Sequence, residues 1–268
     1  MGDQAGIAVV LCGILGLAFA SFGNVVIHRL PLGQDLARPP SACPRCATPI
    51  KARDNVPVLG WLLLRGRCHS CGEPISPRYP LVELAGALLS AAVGLRFGLS
   101  WVLPGYLVFV WVLLVVSAID VDTRKIPNKI TYPGIPALLV LLGAAAFLHG
   151  QPGDAVRALV GGAAAFAFML VIALINPRGM GLGDVKLAAF IGIGLGYLGL
   201  AEVVVGLFAS FLAGGVIAVG LLATGLRGRK DALPFGPYLA IGAIVSLFAG
   251  TPIAQAYLGS IGLGGSAG

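Results

Sequence analysis

Apolar residues run along this chain in long blocks separated by shorter polar segments. A membrane-spanning helix needs about 17–25 predominantly apolar residues. Eight candidates lie near 5–27, 80–97, 101–119, 130–149, 157–175, 187–200, 202–224 and 238–259. Polar segments cover 28–79, 120–129, 176–186 and 225–237, with short turns at 98–100 and 150–156. The pattern predicts an all-α polytopic membrane protein with about eight transmembrane helices and one long polar insertion between the first two.

Composition agrees with the pattern. Of 268 residues, 57% are apolar and 11% charged, where a soluble domain carries about a quarter charged residues. With a mean hydropathy of +0.94, a water-soluble globule, a disordered chain and a coiled coil are all excluded. The net charge of +7 suggests nucleic acid only until the charges are placed. Segment 28–79 holds Arg29, Arg38, Arg45, Lys51, Arg53, Arg65, Arg67 and Arg78. Segment 120–129 holds Arg124, Lys125 and Lys129; 176–186 holds Arg178 and Lys186; 225–237 holds Arg227, Arg229 and Lys230. Sixteen of the 18 Lys and Arg residues thus fall on one side if eight spans alternate, leaving Arg96 and Arg157 near the other. Cytoplasmic loops carry this excess, so the polar segments are expected in the cytoplasm and both termini outside. No nucleic-acid partner is needed to explain the charge. The first six residues carry only Asp3 as charge; a cleaved signal peptide needs a basic start, so the first run reads as a retained span. The Gly-rich end is expected to be a loose tail.

Four of the five cysteines form Cys43-Pro-Arg-Cys46 and Cys68-His-Ser-Cys71, 21 residues apart. Paired C-x2-C knuckles supply two thiolates each to a tetrahedral ion. Two disulfides are the alternative, but a basic segment belongs to the reducing cytoplasm. Four thiolates close the shell without His69, so zinc would be structural; a catalytic zinc keeps an open position. A segment of this size has little core of its own, and a metal would staple it. Cys12, inside the first span, reads as a packed apolar residue.

Two acids stand where spans meet the polar segments: Asp120, in Ile119-Asp120-Val121-Asp122-Thr123-Arg124-Lys125-Ile126-Pro127-Asn128, and Asp184, in Gly181-Leu182-Gly183-Asp184-Val185-Lys186. If both lie at the same membrane face, they can approach each other. Two carboxyls held together in a low dielectric cannot both ionise. Such a pair performs general acid–base hydrolysis, one activating water and the other polarising a peptide carbonyl. The glycines before Asp184 allow close approach of an extended peptide. Solvated loop-end acids balancing Arg124, Lys125 and Lys186 are an equally open reading of these residues.

Taken together, these blocks resemble the type IV prepilin peptidases, among the Gly-x-Gly-Asp intramembrane aspartic proteases. The resemblance covers almost the whole chain. Ser21-Phe22-Gly23-Asn24-Val25-Val26-Ile27-His28-Arg29-Leu30-Pro31 is similar to the family's opening block, and the cysteine pairs follow. Asn55-Val56-Pro57-Val58-Leu59-Gly60-Trp61, Arg65-Gly66-Arg67-Cys68 and Ile75-Ser76-Pro77-Arg78-Tyr79-Pro80-Leu81-Val82-Glu83-Leu84 come next. In the family the first catalytic aspartate precedes a Pro-Asn or Pro-Asp pair by seven residues. That register selects Asp120, before Pro127, and leaves Asp122 out. Gly181-Leu182-Gly183-Asp184 and Pro234-Phe235-Gly236-Pro237-Tyr238 complete the series. The chain departs from the family at Gly23, where many members have a bulkier residue, and at Gly60, where Ser is frequent.

The resemblance implies a membrane endopeptidase of the bacterial cytoplasmic (inner) membrane. It would remove the basic leader of type IV prepilins and pseudopilins after a Gly on the cytoplasmic side. It would then methylate the new N-terminal residue, usually Phe, with S-adenosylmethionine. Asp120 and Asp184 would be catalytic, supported by Gly181, Gly183, Lys186, Pro234, Gly236 and Pro237; Cys43, Cys46, Cys68 and Cys71 would hold structural zinc. The expected organisation is a first transmembrane helix at 1–27, a methyltransferase-associated cytoplasmic zinc domain at 28–79, a peptidase core at 80–259 and a tail at 260–268. No glycine-rich fingerprint marks an S-adenosylmethionine site, and Glu83 is the one candidate for it, with a salt bridge to Arg78 as its alternative role. The expected partners are prepilins, pseudopilins and membrane lipid. A transporter or scaffold docking through the zinc loop explains the cysteines but not the Gly-x-Gly-Asp block.

Overall fold

A computed structural model describes residues 2–177, 180–225 and 233–260. Arg178, Arg227, Arg229, Lys230 and the tail from 261 onward lie outside the described residues. The described residues form nine α-helices: α1 (Gly2–Arg29), α2 (Leu59–Leu63), α3 (Arg78–Phe97), α4 (Leu103–Thr123), α5 (Asn128–Leu148), α6 (Pro152–Ile175), α7 (Leu182–Leu198), α8 (Leu200–Ala223) and α9 (Gly236–Ser260). All except α2 correspond to the apolar runs. Seven are long and apolar enough to cross a membrane. The eighth, α7, has 17 residues, about 26 Å at 1.5 Å per residue. It is buried on nearly every side, through Val185, Leu187, Phe190, Ile191, Ile193, Leu195 and Tyr197. A helix surrounded by protein need not match the hydrocarbon thickness with its own apolar face.

The chain divides into two compact units, Met1–Leu103 and Pro104–Gly268. In the first, α1 and α3 run antiparallel, joined by the polar insertion. Small residues let their backbones meet: a Cβ built at Gly94 would lie 2.7 Å from the Ala8 carbonyl oxygen, and one at Gly16 would lie 2.6 Å from Ser90 Oγ. Close backbone approach through small residues is how helices associate where lipid supplies no hydrophobic drive.

In the second unit, Gly161 of α6 meets Gly192 and Gly196 of α7 in the same way. Helix α4 carries Tyr106, Phe109, Leu113 and Ile119, each at most 1% exposed. The Tyr106 hydroxyl donates to the Gly194 carbonyl at 2.9 Å, and the Phe109 ring stacks on Phe190 at 5.4 Å. Bare Gly194 leaves room for the Phe109 ring. These contacts fix the rotation of α4 against α7, the two helices that carry Asp120 and Asp184.

Gly16→Leu is expected to lower the thermal stability of the purified protein, at the overpacking cost of about 1–3 kcal/mol. Gly6→Leu, on the same helix with no heavy atom near its Cβ position, is the control that should leave the melting temperature unchanged.

Candidate active site and metal centre

Within the polar insertion the two cysteine pairs sit on knuckles of the same design. In the first, the Cys43 N–H donates to the Thr48 carbonyl at 3.0 Å and the Ala47 N–H to the Cys43 carbonyl at 2.9 Å. In the second, the Cys68 N–H donates to the Glu73 carbonyl at 2.8 Å and the Gly72 N–H to the Cys68 carbonyl at 3.0 Å. Ala47 and Gly72, four residues past the leading cysteine of each pair, both take positive φ. One isolated β-bridge closes each knuckle, Ala42 with Pro49 and Arg67 with Pro74. Arg45 and Glu73 pair across the two at 2.5 Å.

The knuckles bring all four Sγ atoms within 4.8 Å of one another. Cys43 Sγ stands 3.8 Å from Cys71 Sγ, and Cys46 Sγ 4.0 Å from Cys68 Sγ. A tetrahedral ion with metal–sulfur bonds near 2.3 Å requires sulfurs about 3.8 Å apart. These separations fit the ion, and the four cysteines are free thiols, not disulfides. The Thr48 hydroxyl and the Thr48 N–H hold the Cys46 thiol down, to about 6, and the N–H groups of Cys71 and Ser70 lower Cys68. These two effects favour the thiolate, the form that binds metal. At Cys71 the Glu73 backbone bond lowers the thiol, but burial and the adjacent sulfurs of Cys68, Cys46 and Cys43 outweigh it and push Cys71 up to about 12. His69 turns away, its Nδ1 3.9 Å from Asp54 Oδ2.

In the second unit, Asp120 lies in the last turn of α4 and is only 4% exposed. Its Oδ2 accepts the Gly236 N–H at 2.9 Å. Gly236 opens α9, so the carboxylate meets the positive end of a helix. A Cβ at 236 would lie 2.8 Å from that same oxygen. Pro237 follows in the first turn, where a missing N–H costs nothing. Phe235 is fixed by ring contacts with Phe211 at 5.2 Å and Tyr238 at 6.1 Å; Pro234 lies in the irregular segment before it.

The polar segment expected at 176–186 is shorter than its sequence suggests, because α7 starts at Leu182. Asp184 explains why. At the third helical position its Oδ2 accepts the Gly181 N–H at 3.1 Å, an acidic side chain satisfying an orphan donor at a helix start. Asp184 is half-buried, and its carboxylate lies within electrostatic reach of Asp120. Asp122 is exposed on another side of α4.

After Thr123, Arg124 takes φ 54° and reverses the chain. That reversal lays Ile126 over Gly183, where an added Cβ would come 2.9 Å from the Ile126 Cβ. Gly181 has a looser setting, its nearest neighbour Asp184 Oδ2 at 3.5 Å. Lys186 Nζ donates to Asn128 Oδ1 at 2.9 Å and sits 4.8 Å above the Tyr132 ring. It ties α7 to the start of α5. Ile126, Tyr132 and Phe235 were not singled out from sequence; a lone lysine inside an apolar helix, which must find partners nearby, was the available clue.

Glu83 lies in the first unit, 8% exposed. Its oxygens face the Val58 N–H at 2.8 Å and the Asn24 side-chain amide at 3.4 Å.

Elemental analysis of the purified protein is expected to find one metal ion per chain. Cys43→Ser and Cys71→Ser should each lose the ion and lower the yield of folded protein; full metal content in either variant would contradict the four-thiolate centre.

Family models match each unit separately. The bacterial peptidase A24 N-terminal domain matches residues 14–97, and the type IV leader peptidase family matches residues 107–219. A prepilin leader peptidase/N-methyltransferase of Aeromonas hydrophila is 38% identical over 276 residues, covering 91% of this chain and 92% of the relative. The protein of that name in Bacillus subtilis (strain 168) is 37% identical over 245 residues, covering 91% and 96%. That of Pseudomonas aeruginosa is 36% identical over 281 residues, covering 94% of each. No solved structure matches the chain. With two family models aligned in order and relatives similar along nearly its full length, the chain belongs to the type IV leader peptidase family.

Proposed function

We propose that this protein removes the leader peptides of prepilins and pseudopilins and then N-methylates the new N-terminus. The observation that carries the peptidase half is that α4 and α7 pack antiparallel, through Tyr106 on Gly194 and Phe109 on Phe190, so that Asp120 near the end of α4 and Asp184 at the start of α7 stand at the same end of the second unit. In this reading one carboxylate takes a proton from water as the water oxygen attacks the scissile carbonyl. The other carboxyl donates its proton to the carbonyl oxygen as the tetrahedral intermediate forms. Collapse returns a proton to the leaving amine and breaks the C–N bond, so two acids suffice for hydrolysis. Gly236 orients Asp120 through its N–H, and the Gly181 N–H fixes the rotamer of Asp184. Lys186, engaged with Asn128 and Tyr132, holds α7 against α5.

The positive-inside distribution supports placing both aspartates and the cysteine segment at the cytoplasmic face of the bacterial inner membrane, with the termini on the other side. There a leader that never crosses the membrane meets the acids. Zinc is the ion that four thiolates in tetrahedral reach suit best, and it would be structural, held by Cys43, Cys46, Cys68 and Cys71. S-adenosylmethionine supplies the methyl group in the second reaction. The names of the relatives support assigning that reaction to this chain.

Asp120→Asn and Asp184→Asn should each lower prepilin cleavage by about 10²–10⁴-fold, the range for losing a general acid or base, while the protein remains folded and metal-loaded. Processing at the normal rate by either variant would overturn the assignment. The two glycines of the Gly-x-Gly-Asp block should differ. Gly183→Ala displaces Ile126 and is expected to cost about 10²-fold through misplacement of Asp184, and Gly181→Ala markedly less. Equal losses in a gel-shift assay of leader removal would contradict the packing described.

A further inference from the structure

Three non-glycine residues of the polar insertion take positive φ, Ala47, Val58 and Arg65, and Val58 is the β-branched one. Val58 has φ 61° and ψ −51°, and the Leu59 N–H donates to the Pro57 carbonyl at 2.6 Å. This is a γ-turn of the positive-φ kind, which is rare and strained, and a β-branched residue tolerates positive φ least. Such strain persists only where surrounding contacts over-determine it, and it clusters at functional sites.

The contact that does so here is a buried carboxylate. Glu83 Oε2 accepts the N–H of Val58 itself at 2.8 Å. Its other oxygen faces Asn24 Nδ2 at 3.4 Å, and that amide also donates to the Tyr79 carbonyl at 3.1 Å. Glu83 and Asn24 are each 8% exposed. Both carboxylate oxygens are thus engaged by donors of this chain, linking α3 to α1 and to the turn that starts α2. Beyond the turn, the Trp61 indole N–H donates to the Ile75 carbonyl at 3.0 Å. The Trp61 ring fills the space where a Cβ on Gly66 would sit, 2.8 Å away. The Ile75 N–H returns to the Gly66 carbonyl at 2.7 Å. A continuous path runs from Glu83 through the strained turn and Trp61 to the knuckle of Cys68 and Cys71.

We infer that Glu83 is a positioning residue for methyl transfer: its carboxylate clamps the strained Val58 turn and so sets the second cysteine knuckle against α3, without touching the methyl donor. The inference rests on the proposed methyltransferase activity of this chain and on the expectation, implied by the family resemblance, that it belongs to the cysteine-bearing segment of the first unit. Cleavage, carried by Asp120 and Asp184 of the other unit, does not need the clamp.

The decisive comparison is Glu83→Ala alone and combined with Val58→Gly, because glycine takes positive φ at no steric cost. Three readouts are taken on metal-loaded protein in detergent: leader removal, methylation of the cleaved product, and amide hydrogen exchange over residues 58–64. Glu83→Ala should lose about tenfold or more in methylation and exchange about tenfold faster over that segment, with cleavage within about twofold of wild type. Val58→Gly alone should behave as wild type, and the double variant should regain most of both lost properties. A double variant as deficient as Glu83→Ala, or unchanged exchange in Glu83→Ala, would overturn the clamp; lost methylation with unchanged exchange would make Glu83 a direct contact of donor or substrate. If the wild type cleaves but never methylates, the methyl-transfer assignment fails by itself, and hydrogen exchange still decides whether the clamp exists.

Discussion

A carboxylate removed from water inside a helix bundle has to be met by donors, since an unpaired buried charge costs several kcal/mol. Asp120 is met by one backbone N–H, that of Gly236. Much of the second unit follows from that single bond. The donor must be backbone at a helix start, so α9 begins at Gly236; the residue there must lack a side chain, because a Cβ would overlap the oxygen it serves. Phe235, wedged between Phe211 and Tyr238, holds the loop so that the N–H keeps its aim. Asp184 obeys the same logic differently, capping its own helix through the Gly181 N–H. Close approach of backbone to carboxylate, rather than looseness, is what Gly236 supplies, and Gly183 does the corresponding job beneath Ile126.

The two units carry different candidate groups. The first carries four cysteine sulfurs within 4.8 Å of one another and a buried carboxylate hydrogen-bonded to a backbone turn. The second carries Asp120 and Asp184 at the same end of the antiparallel α4 and α7. Each unit has its own family model. The insertion has almost no apolar core, so a cysteine cluster able to hold a metal ion and a few hydrogen bonds to the helix pair stand where packing does in the membrane.

Much of this was legible in the residues because lipid imposes a simple pattern. Runs of apolar residues must be helices, and all eight were found to within a few residues. The cysteine spacing was equally plain, since a tetrahedral ion accepts few geometries. The limits appeared where tertiary contacts override local character. Gly181-Leu182-Gly183 reads as loop, yet α7 starts within it because Asp184 caps it. Leu59–Leu63 reads as part of a polar stretch, and only the clamped turn before it shows why one helical turn forms there. Glu83 invites a ligand role from its type and position, and only the tertiary structure shows its oxygens bonded to the Val58 N–H and the Asn24 amide. No local pattern announces a strained valine.

The most direct test of the account is intact-mass measurement of a prepilin incubated with the purified protein and S-adenosylmethionine in detergent. The expected product has lost its leader after a glycine and gained one methyl group at the new N-terminus. An unprocessed prepilin, in the presence of folded and metal-loaded protein, would contradict the claim that Asp120 and Asp184 form a peptidase site for this substrate class.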